Sequence, residues 1–383
     1  MNAYSQLLSY LGGSPADRTV LKTVVAGADS RAQIAEATGF DPATVTRSVS
    51  RLLSHKILLE GTAEANGGLV GRPRRTLLTN DEYFWVAGLH IGLRGVNAAA
   101  VGLRGETGDI SSAPHDGSRE SIIKAAERCV HDLFASHSHP PLGVGVAVAG
   151  FVDSEAGEIL EMPGSDWEGL DLAEALASEF DSPTRVMPMG RAQALSNVLY
   201  GVVKPEDSFG HLYVGYIVEY VGAIRGTAWP TEPGHDGAIE HLMLRTKDGA
   251  ASVHDLISDS ALVLQAEQRG LLGPDGDFEE LLEMSESPGT PGAIEARDLL
   301  EQRARYVGRL IVQLQEIVPL PTMVLSASIV RQPDGLQVVK DVVQSECRNR
   351  TNPRILSAGE VRTANPRAGA AVFYGSLLLE NEG

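Results

Sequence analysis

The sequence predicts an α/β protein headed by an N-terminal winged helix-turn-helix. Three observations predict it. Asp41-Pro42 stands directly before an apolar series at helical spacing, Val45, Val49 and Leu52. The basic run Gly71-Arg72-Pro73-Arg74-Arg75 follows it. From Trp85 onward, apolar strand-like runs alternate with amphipathic helical runs, the pattern of an α/β body.

The charge agrees with that division. The chain of 383 residues has a formal net charge of −18, which taken alone argues against nucleic acid. Residues 1–79, however, hold nine Lys/Arg against six Asp/Glu, while the remainder holds 23 against 44. A basic head can neutralise phosphates while an acidic body is repelled from the duplex. A chain this long exceeds one small core, so two or three domains are expected. The boundaries are placed at 1–80 for the head, 81–205 for a first lobe and 206–383 for a second lobe with C-terminal helices.

The head is read element by element. A first helix covers 15–27, with Val20, Leu21, Val24 and Val25 on one face and Gly27 at its end. Ser30 and Gln33 have capping-box spacing and open a short second helix ending at Gly39. Asp41 caps the third helix and Pro42 takes its first position, where a missing N–H costs nothing. That helix turns Val45, Val49 and Leu52 inward. It leaves Thr44, Thr46, Arg47, Ser50 and Arg51 on the surface offered to a major groove. Leu58-Leu59 and Thr76-Leu77-Leu78 make a two-stranded wing around a turn at Asn66-Gly67-Gly68. An arginine on the Gly71-Arg72-Pro73 loop suits a narrow minor groove. The expected DNA-binding set is Gln33, Thr44, Thr46, Arg47, Ser50, Arg51, Gly71, Arg72, Pro73 and Arg74. The expected nucleic acid is double-stranded DNA with a palindromic operator. Arg18 and Lys22 are read as solvated or phosphate-touching.

In the body, 86–92 and 97–103 read as strands, 120–136 as a helix and 143–150 as a buried strand. Helices near 170–180 and 191–202 follow. A second lobe opens near His211, and a long helix over 293–318 stops at Pro319. Residues 271–292, rich in acids, Gly and Pro, read as an exposed excursion. Cys129 and Cys347 stand far apart and neither belongs to a C-x-x-C pair, so a reducing compartment fits. No apolar run approaches the ~20 residues of a membrane span, and the start lacks a signal-peptide pattern. A cytoplasmic, nucleoid-associated protein with no membrane partner is expected.

From about residue 15 to its end, the chain resembles the ROK family (repressors, open reading frames and kinases). The resemblance rests on the helix-turn-helix with its Gly-Arg-Pro wing and on the stretch 145–153 (GVAVAGFVD). It rests further on Gly157-Glu158-Ile159, Trp167 and Gly369-Ala370-Ala371. It implies a two-lobed, actin-like (ribonuclease-H-like) ATPase fold with a ligand cleft between lobes. The family's kinases begin with Asp-x-Gly-Gly-Thr, where this chain has His90-Ile91-Gly92-Leu93-Arg94. Their general-base Asp falls in the stretch that is Met187-Pro188-Met189 here, and methionine cannot accept a proton. Their second phosphate loop matches 216–220 (YIVEY), and their late nucleotide-binding glycines match Ser326-Ala327-Ser328. Parts of a phosphoryl-transfer site are therefore missing, and the body is expected to be a catalytically inactive kinase with no cofactor. The family's structural zinc uses a His and three cysteines. His241 matches the His, but the cysteine run matches 245–252 (RTKDGAAS), with Arg, Lys and Ser at ligand positions. No metal is expected.

The resemblance also implies an effector. The expected ligand-binding residues are Trp167, Arg191, Glu219, Tyr220, Glu240 and His241. The expected ligand is a small metabolite, either a sugar or a charged molecule such as an amino-acid derivative. The alternative is that Met187, Pro188 and Met189 fill the cleft. The chain is expected to act as a homodimer or homotetramer. Two other readings of the whole stay open: an active sugar kinase with a fused reader, and a regulator whose body docks another protein.

Overall fold

The computed structural model describes residues 3–64, 74–162, 170–229, 237–347, 352–359 and 361–379. The head consists of α1 (Ala3–Gly13), α2 (Pro15–Val25), α3 (Arg31–Thr38) and α4 (Pro42–Ser54), followed by β1 (Leu58–Glu64) and β2 (Arg74–Thr79). The first lobe holds β3 (Trp85–Ile91), β4 (Gly95–Gly102), β5 (Thr107–Pro114), α5 (Arg119–Ser136), β6 (Val144–Val148), β7 (Phe151–Asp153) and β8 (Glu158–Glu161). It continues with β9 (Leu170–Asp171), α6 (Leu172–Phe180), β10 (Thr184–Pro188) and α7 (Met189–Leu199). The second lobe holds β11 (Phe209–Val214), β12 (Val218–Ile224), β13 (Thr227–Ala228), β14 (Met243–Thr246), β15 (Gly249–Ser252), α8 (Val253–Ile257), α9 (Asp259–Gln268) and α10 (Phe278–Glu286). After these come α11 (Ala293–Ile317), β16 (Thr322–Ser326), α12 (Gly335–Glu346), β17 (Arg354–Ser357) and α13 (Val361–Leu378).

The chain divides into two compact units. The first is Met1–Pro205 with Asn365–Gly383, and the second is Glu206–Ala364. The last helix, placed with the second lobe from sequence, therefore belongs with the first. The head is not a separate bead either. Val20, Leu21, Ile34, Val45, Leu52 and Leu77 of the head share one core with Phe84, Val101 and Leu103 of the lobe and with Phe373, Tyr374 and Leu377 of α13. Helix α1, which the sequence reading passed over, joins that core through Leu7, Tyr10 and Leu11, and Tyr4 packs against Phe373 with ring centroids 5.8 Å apart. Tyr374 points its hydroxyl at the carbonyls of Val101 (3.0 Å) and Phe84 (3.2 Å).

The sheet of the first unit runs β10-β6-β3-β4-β5, with β10, β6 and β3 parallel and β4 and β5 antiparallel. Gly88 and Gly145 are directly paired between β3 and β6. Helix α13 lies on that pair backbone to backbone: a Cβ at Gly369 would stand 2.2 Å from the Leu89 carbonyl oxygen and 2.8 Å from that of Gly145. Only glycine permits this approach. The closing Gly369-Ala370-Ala371 stretch is thus a packing requirement.

The second unit is built on a sheet of order β13-β12-β11-β16-β17, with β11, β16 and β17 parallel and β12 and β13 antiparallel. Its 25-residue α11 supplies Tyr306, Val307, Leu310, Ile311 and Leu314 to the main core. Residues 271–292 are not simply an exposed excursion. Asp277 caps α10, accepting from Glu280 N at 3.0 Å, and Phe278, Leu281 and Leu282 bury against Leu262 and Leu299.

Candidate nucleic-acid interface and ligand residues

The reader is assembled from its caps. Ser14 accepts from Asp17 N and precedes Pro15, starting α2. Ser30 Oγ accepts from Gln33 N at 3.4 Å, and Gly39 ends α3 in the left-handed region with φ 70°. Gln33 Oε1 reaches back to Asp29 N at 2.8 Å, one residue before the position that an ideal capping box uses. Asp41 Oδ1 accepts from both Ala43 N and Thr44 N at 3.0 Å, and Pro42 opens α4. These caps satisfy backbone donors that a helix start leaves orphaned.

Helix α4 buries Val45, Ser48, Val49 and Leu52 and exposes Ala43, Thr46, Arg47 and Ser50. The exposed positions recur at i, i+3, i+4 and i+7 and form one stripe. Arg47 is tethered on it. Its Nη2 donates to Thr44 Oγ1 at 3.0 Å, and that hydroxyl donates to Asp41 Oδ2 at 2.6 Å. The Thr44 hydroxyl bond, then the backbone N–H of Thr44, hold the Asp41 carboxyl below its ordinary range. Thr46 donates back to Pro42 O at 2.7 Å. Gln33 is exposed on α3.

Arg51, one turn beyond Arg47, has an ion-pair partner that its spacing does not show. Its guanidinium is ion-paired with Asp17 of α2, a carboxylate with only 3% of its side chain exposed. Half of the Arg51 side chain remains exposed. Lys22 is half-buried, and burial together with the Arg18 charge pulls its ammonium below the ordinary range.

The wing exists as an antiparallel pair, β1 with β2, registered Leu59 to Leu78 and Glu64 to Arg74. It is fixed to the helices by Leu77 N donating to Asp29 O at 2.7 Å and by Arg31 facing Glu60 at 3.5 Å. The Asn66-Gly67-Gly68 turn and Gly71, Arg72 and Pro73 lie outside the described residues, and Arg74 is placed by its backbone at the start of β2.

Five of the six expected ligand residues are described, one on the first unit and four on the second. Trp167 lies outside the described residues. Arg191 is half-buried in the first turn of α7, in the first unit. Glu219 and Tyr220 are neighbours on β12 and so point to opposite faces. Glu219 is buried opposite Tyr213, whose hydroxyl is pushed up by burial and then by the Asp259 and Glu219 carboxylates. Tyr220 packs against the apolar core, where burial raises its hydroxyl to about 12. Glu240 Oε1 accepts from Val218 N at 2.9 Å and faces His254 Nδ1 at 3.6 Å, so it latches the start of β12. His241 is exposed on the second unit.

Two of the stretches that the resemblance matches to phosphate-binding parts of the family's kinases carry hydrogen-bonded side chains. His90, at the end of β3, is buried; burial lowers its imidazole to about 4, so it is neutral at pH 7. Its Nδ1 lies 3.4 Å from Asn365 Nδ2, whose Oδ1 in turn accepts from Gln193 Nε2 at 3.2 Å. At Ser326-Ala327-Ser328, the Ser328 hydroxyl sits between the Val214 carbonyl (2.9 Å), the Asp259 carboxylate and the buried Arg303 guanidinium (2.8 Å). Arg303 also donates to Asp259 at 2.6 Å and to Ile257 O at 2.8 Å. Met189 is fully buried. The residues do not fit the family's zinc: Arg245 and Lys247 are exposed on the β14–β15 hairpin, and Ser252 is used as the cap of α8. Among the described residues, no group of three or more His, Cys, Asp or Glu is placed to hold a metal, and no helix is long and apolar enough to cross a membrane.

The sequence model of the ROK family matches residues 86–376. The chain belongs to the ROK family. Among curated relatives, the xylose repressor of Bacillus subtilis (strain 168) is 21% identical over 224 residues, 56% of this chain and 56% of the repressor. An uncharacterized protein of Sinorhizobium fredii is 27% identical over 193 residues, 49% of each chain. The chain thus spans about half the length of the curated relatives it matches. Among solved structures, a ROK family transcriptional regulator described as a homologue of the E. coli MLC protein aligns with TM-score 0.69 at 18% identity, over 98% of this chain and 97% of its own. A ROK family glucokinase from Streptomyces griseus, in complex with glucose and AMPPNP, aligns with TM-score 0.65 at 19% identity over 75% of this chain and 98% of its own. These two likenesses establish the fold: a two-lobed ROK body, with the head included in the first alignment.

Proposed function

We propose that this ROK protein is a sequence-specific DNA-binding transcription regulator whose kinase-derived body senses an effector and oligomerises instead of transferring phosphate. One observation carries the reading. The head holds a capped helix with an exposed Ala43, Thr46, Arg47 and Ser50 stripe beside a two-stranded wing, and it shares its core with the body. The proposed DNA-facing residues are Gln33, Thr44, Thr46, Arg47 and Ser50, with Gly71, Arg72, Pro73 and Arg74 on the wing side. Arg51 is removed from the set because Asp17 holds it. The names of the Bacillus relatives support repression.

The kinase reading is disfavoured by the neutral, buried His90, by Met189 where the base would stand, and by the Arg303, Asp259 and Ser328 knot. For the effector, the expected residues Trp167, Arg191, Glu219, Tyr220, Glu240 and His241 carry side-chain chemistry suited to a sugar or a small charged metabolite. The relatives are named for xylose, but Pro188-Met189 offers no hydroxyl-binding pair, so a sugar has to be held by other groups. The protein is proposed to act in the cytoplasm, on the nucleoid, as a dimer or tetramer. Mapping the genomic sites occupied by the tagged protein in its host tests this. A few sharp palindromic sites beside one metabolic pathway are expected; an expressed protein with no enriched sites under several nutrient conditions contradicts it.

A further inference from the structure

Asp17 is a buried acid on helix α2 of the head. It lies among Val20, Leu21 and Val24 on the buried side of α2, with 2% of the residue exposed. Its partner is Arg51, 34 residues further on, near the end of α4. Arg51 stands one turn beyond Arg47, so its spacing assigns it to the exposed stripe. Its side chain turns away from that stripe. It lines an open hollow of about 560 Å³ with Gln6, Ser9 and Tyr10 of α1 and with Ser14, Asp17 and His55. Half of the Arg51 side chain (49%) is still exposed, so the guanidinium is within reach of solvent while its partner is not.

The asymmetry in burial decides where the cation stays. If Arg51 left for a phosphate, the buried Asp17 carboxylate would lose its cationic partner and keep only the neutral Ser48 and Tyr10 hydroxyls beside it, the costly way to break such a pair. An exposed guanidinium on a reader adds about one phosphate contact, which strengthens binding to every sequence alike. We propose that Asp17 is a specificity-determining positioning residue: by holding Arg51 against α2 it withholds a second cation from the DNA backbone and leaves recognition to the Arg47 stripe. This rests on the reading of the head as a DNA reader.

The test measures affinity for a selected operator and for a random duplex across a salt series. It uses the full-length wild type, Asp17→Asn, Arg51→Met and the double variant. With Arg51 withheld, Arg51→Met and the double variant keep the wild-type salt slope on both duplexes. Asp17→Asn steepens the slope by about 0.9 and raises random-duplex affinity several-fold, lowering the specificity ratio. If Arg51→Met instead makes the slope shallower by about 0.9, Arg51 already touches phosphate and the proposal is overturned. An Asp17→Asn protein that folds but binds random duplex like the wild type also overturns it. If Asp17→Asn fails to fold, as read by circular dichroism, the slopes of the Arg51→Met and double variants still decide. A wild type with no preference for any duplex is a failure of the DNA-reader reading itself, visible before any variant is compared.

Discussion

At position 47 a guanidinium stands on the exposed stripe of α4, tethered through Thr44 to the Asp41 cap. Replacing Arg47 by Ala is expected to relax base preference within each half-site and to weaken operator binding by about 1–3 kcal/mol. Random-duplex affinity should change far less. Equal losses on both, in a titration at one salt concentration, would make Arg47 a phosphate contact. His90 gives a second prediction at this scale. Its folded pKa of about 4 lies below the ordinary 6.5, so the unfolded chain binds the extra proton between those values. The stabilising contribution is complete above pH ~6.5 and is lost as pH falls toward ~4, a change of roughly 3 kcal/mol in the first unit. Denaturant titrations of the wild type and His90→Asn from pH 7.5 to 4.5 should show the variant's stability falling less steeply. Parallel curves would contradict this. Much of the reader's face was legible because helical spacing tells which Cα atoms face out, as at Thr46, Arg47 and Ser50. Spacing does not tell which partner a long side chain finds, so the Asp17–Arg51 pair was not legible. The separation of Glu219 from Tyr220 follows from strand period alone, and the adjacency of the two in sequence obscured it.

Among the elements, α13 ties the body to the head. It lies flush on β3 and β6 through Gly369 and delivers Phe373, Tyr374 and Leu377 to the reader's core. Gly369→Ala should force α13 off the sheet, costing about 1–3 kcal/mol or more as overpacking does. A thermal melt should show the loss, and an unchanged melting temperature would mean that the helix adjusts freely. Leu7→Ala in α1 should cost about 2–5 kcal/mol by opening a cavity in the same core, lowering the melting temperature and DNA binding together. An exposed, dispensable α1 would show neither. Caps made α3 and α4 readable, since Ser30, Gly39 and Asp41-Pro42 are strong local signals. Helices α1 and α10 were missed for different reasons. In α10 the Phe278, Leu281 and Leu282 face is short and set among acids, glycines and prolines. In α1 the apolar residues Leu7 and Leu11 acquire meaning only from a core assembled by Phe373 and Tyr374, over 350 residues away.

At the scale of the whole molecule, the chain has a ROK body. Arg245, Lys247 and Ser252 stand where the resemblance puts the cysteine ligands of a structural zinc. Incubation with a zinc chelator should therefore leave the melting curve and DNA binding unchanged, whereas a chelator-induced loss of either would show that a metal is held after all. Two copies on one operator should present their recognition helices about 34–36 Å apart, or a multiple of it. The division into units was legible near residue 205, where strand β11 begins a new sheet. It was not legible at the C-terminus, because the return of α13 to the first unit is a matter of topology and not of local pattern. The head is proposed to read DNA sequence. Its most direct test is selection of bound duplexes from a random pool by the full-length protein, with Arg47→Ala run in parallel. The account predicts an enriched palindrome with half-sites about one helical turn apart, or a multiple, and with degenerate positions appearing in the variant. A pool that remains random after repeated selection at physiological salt would contradict it.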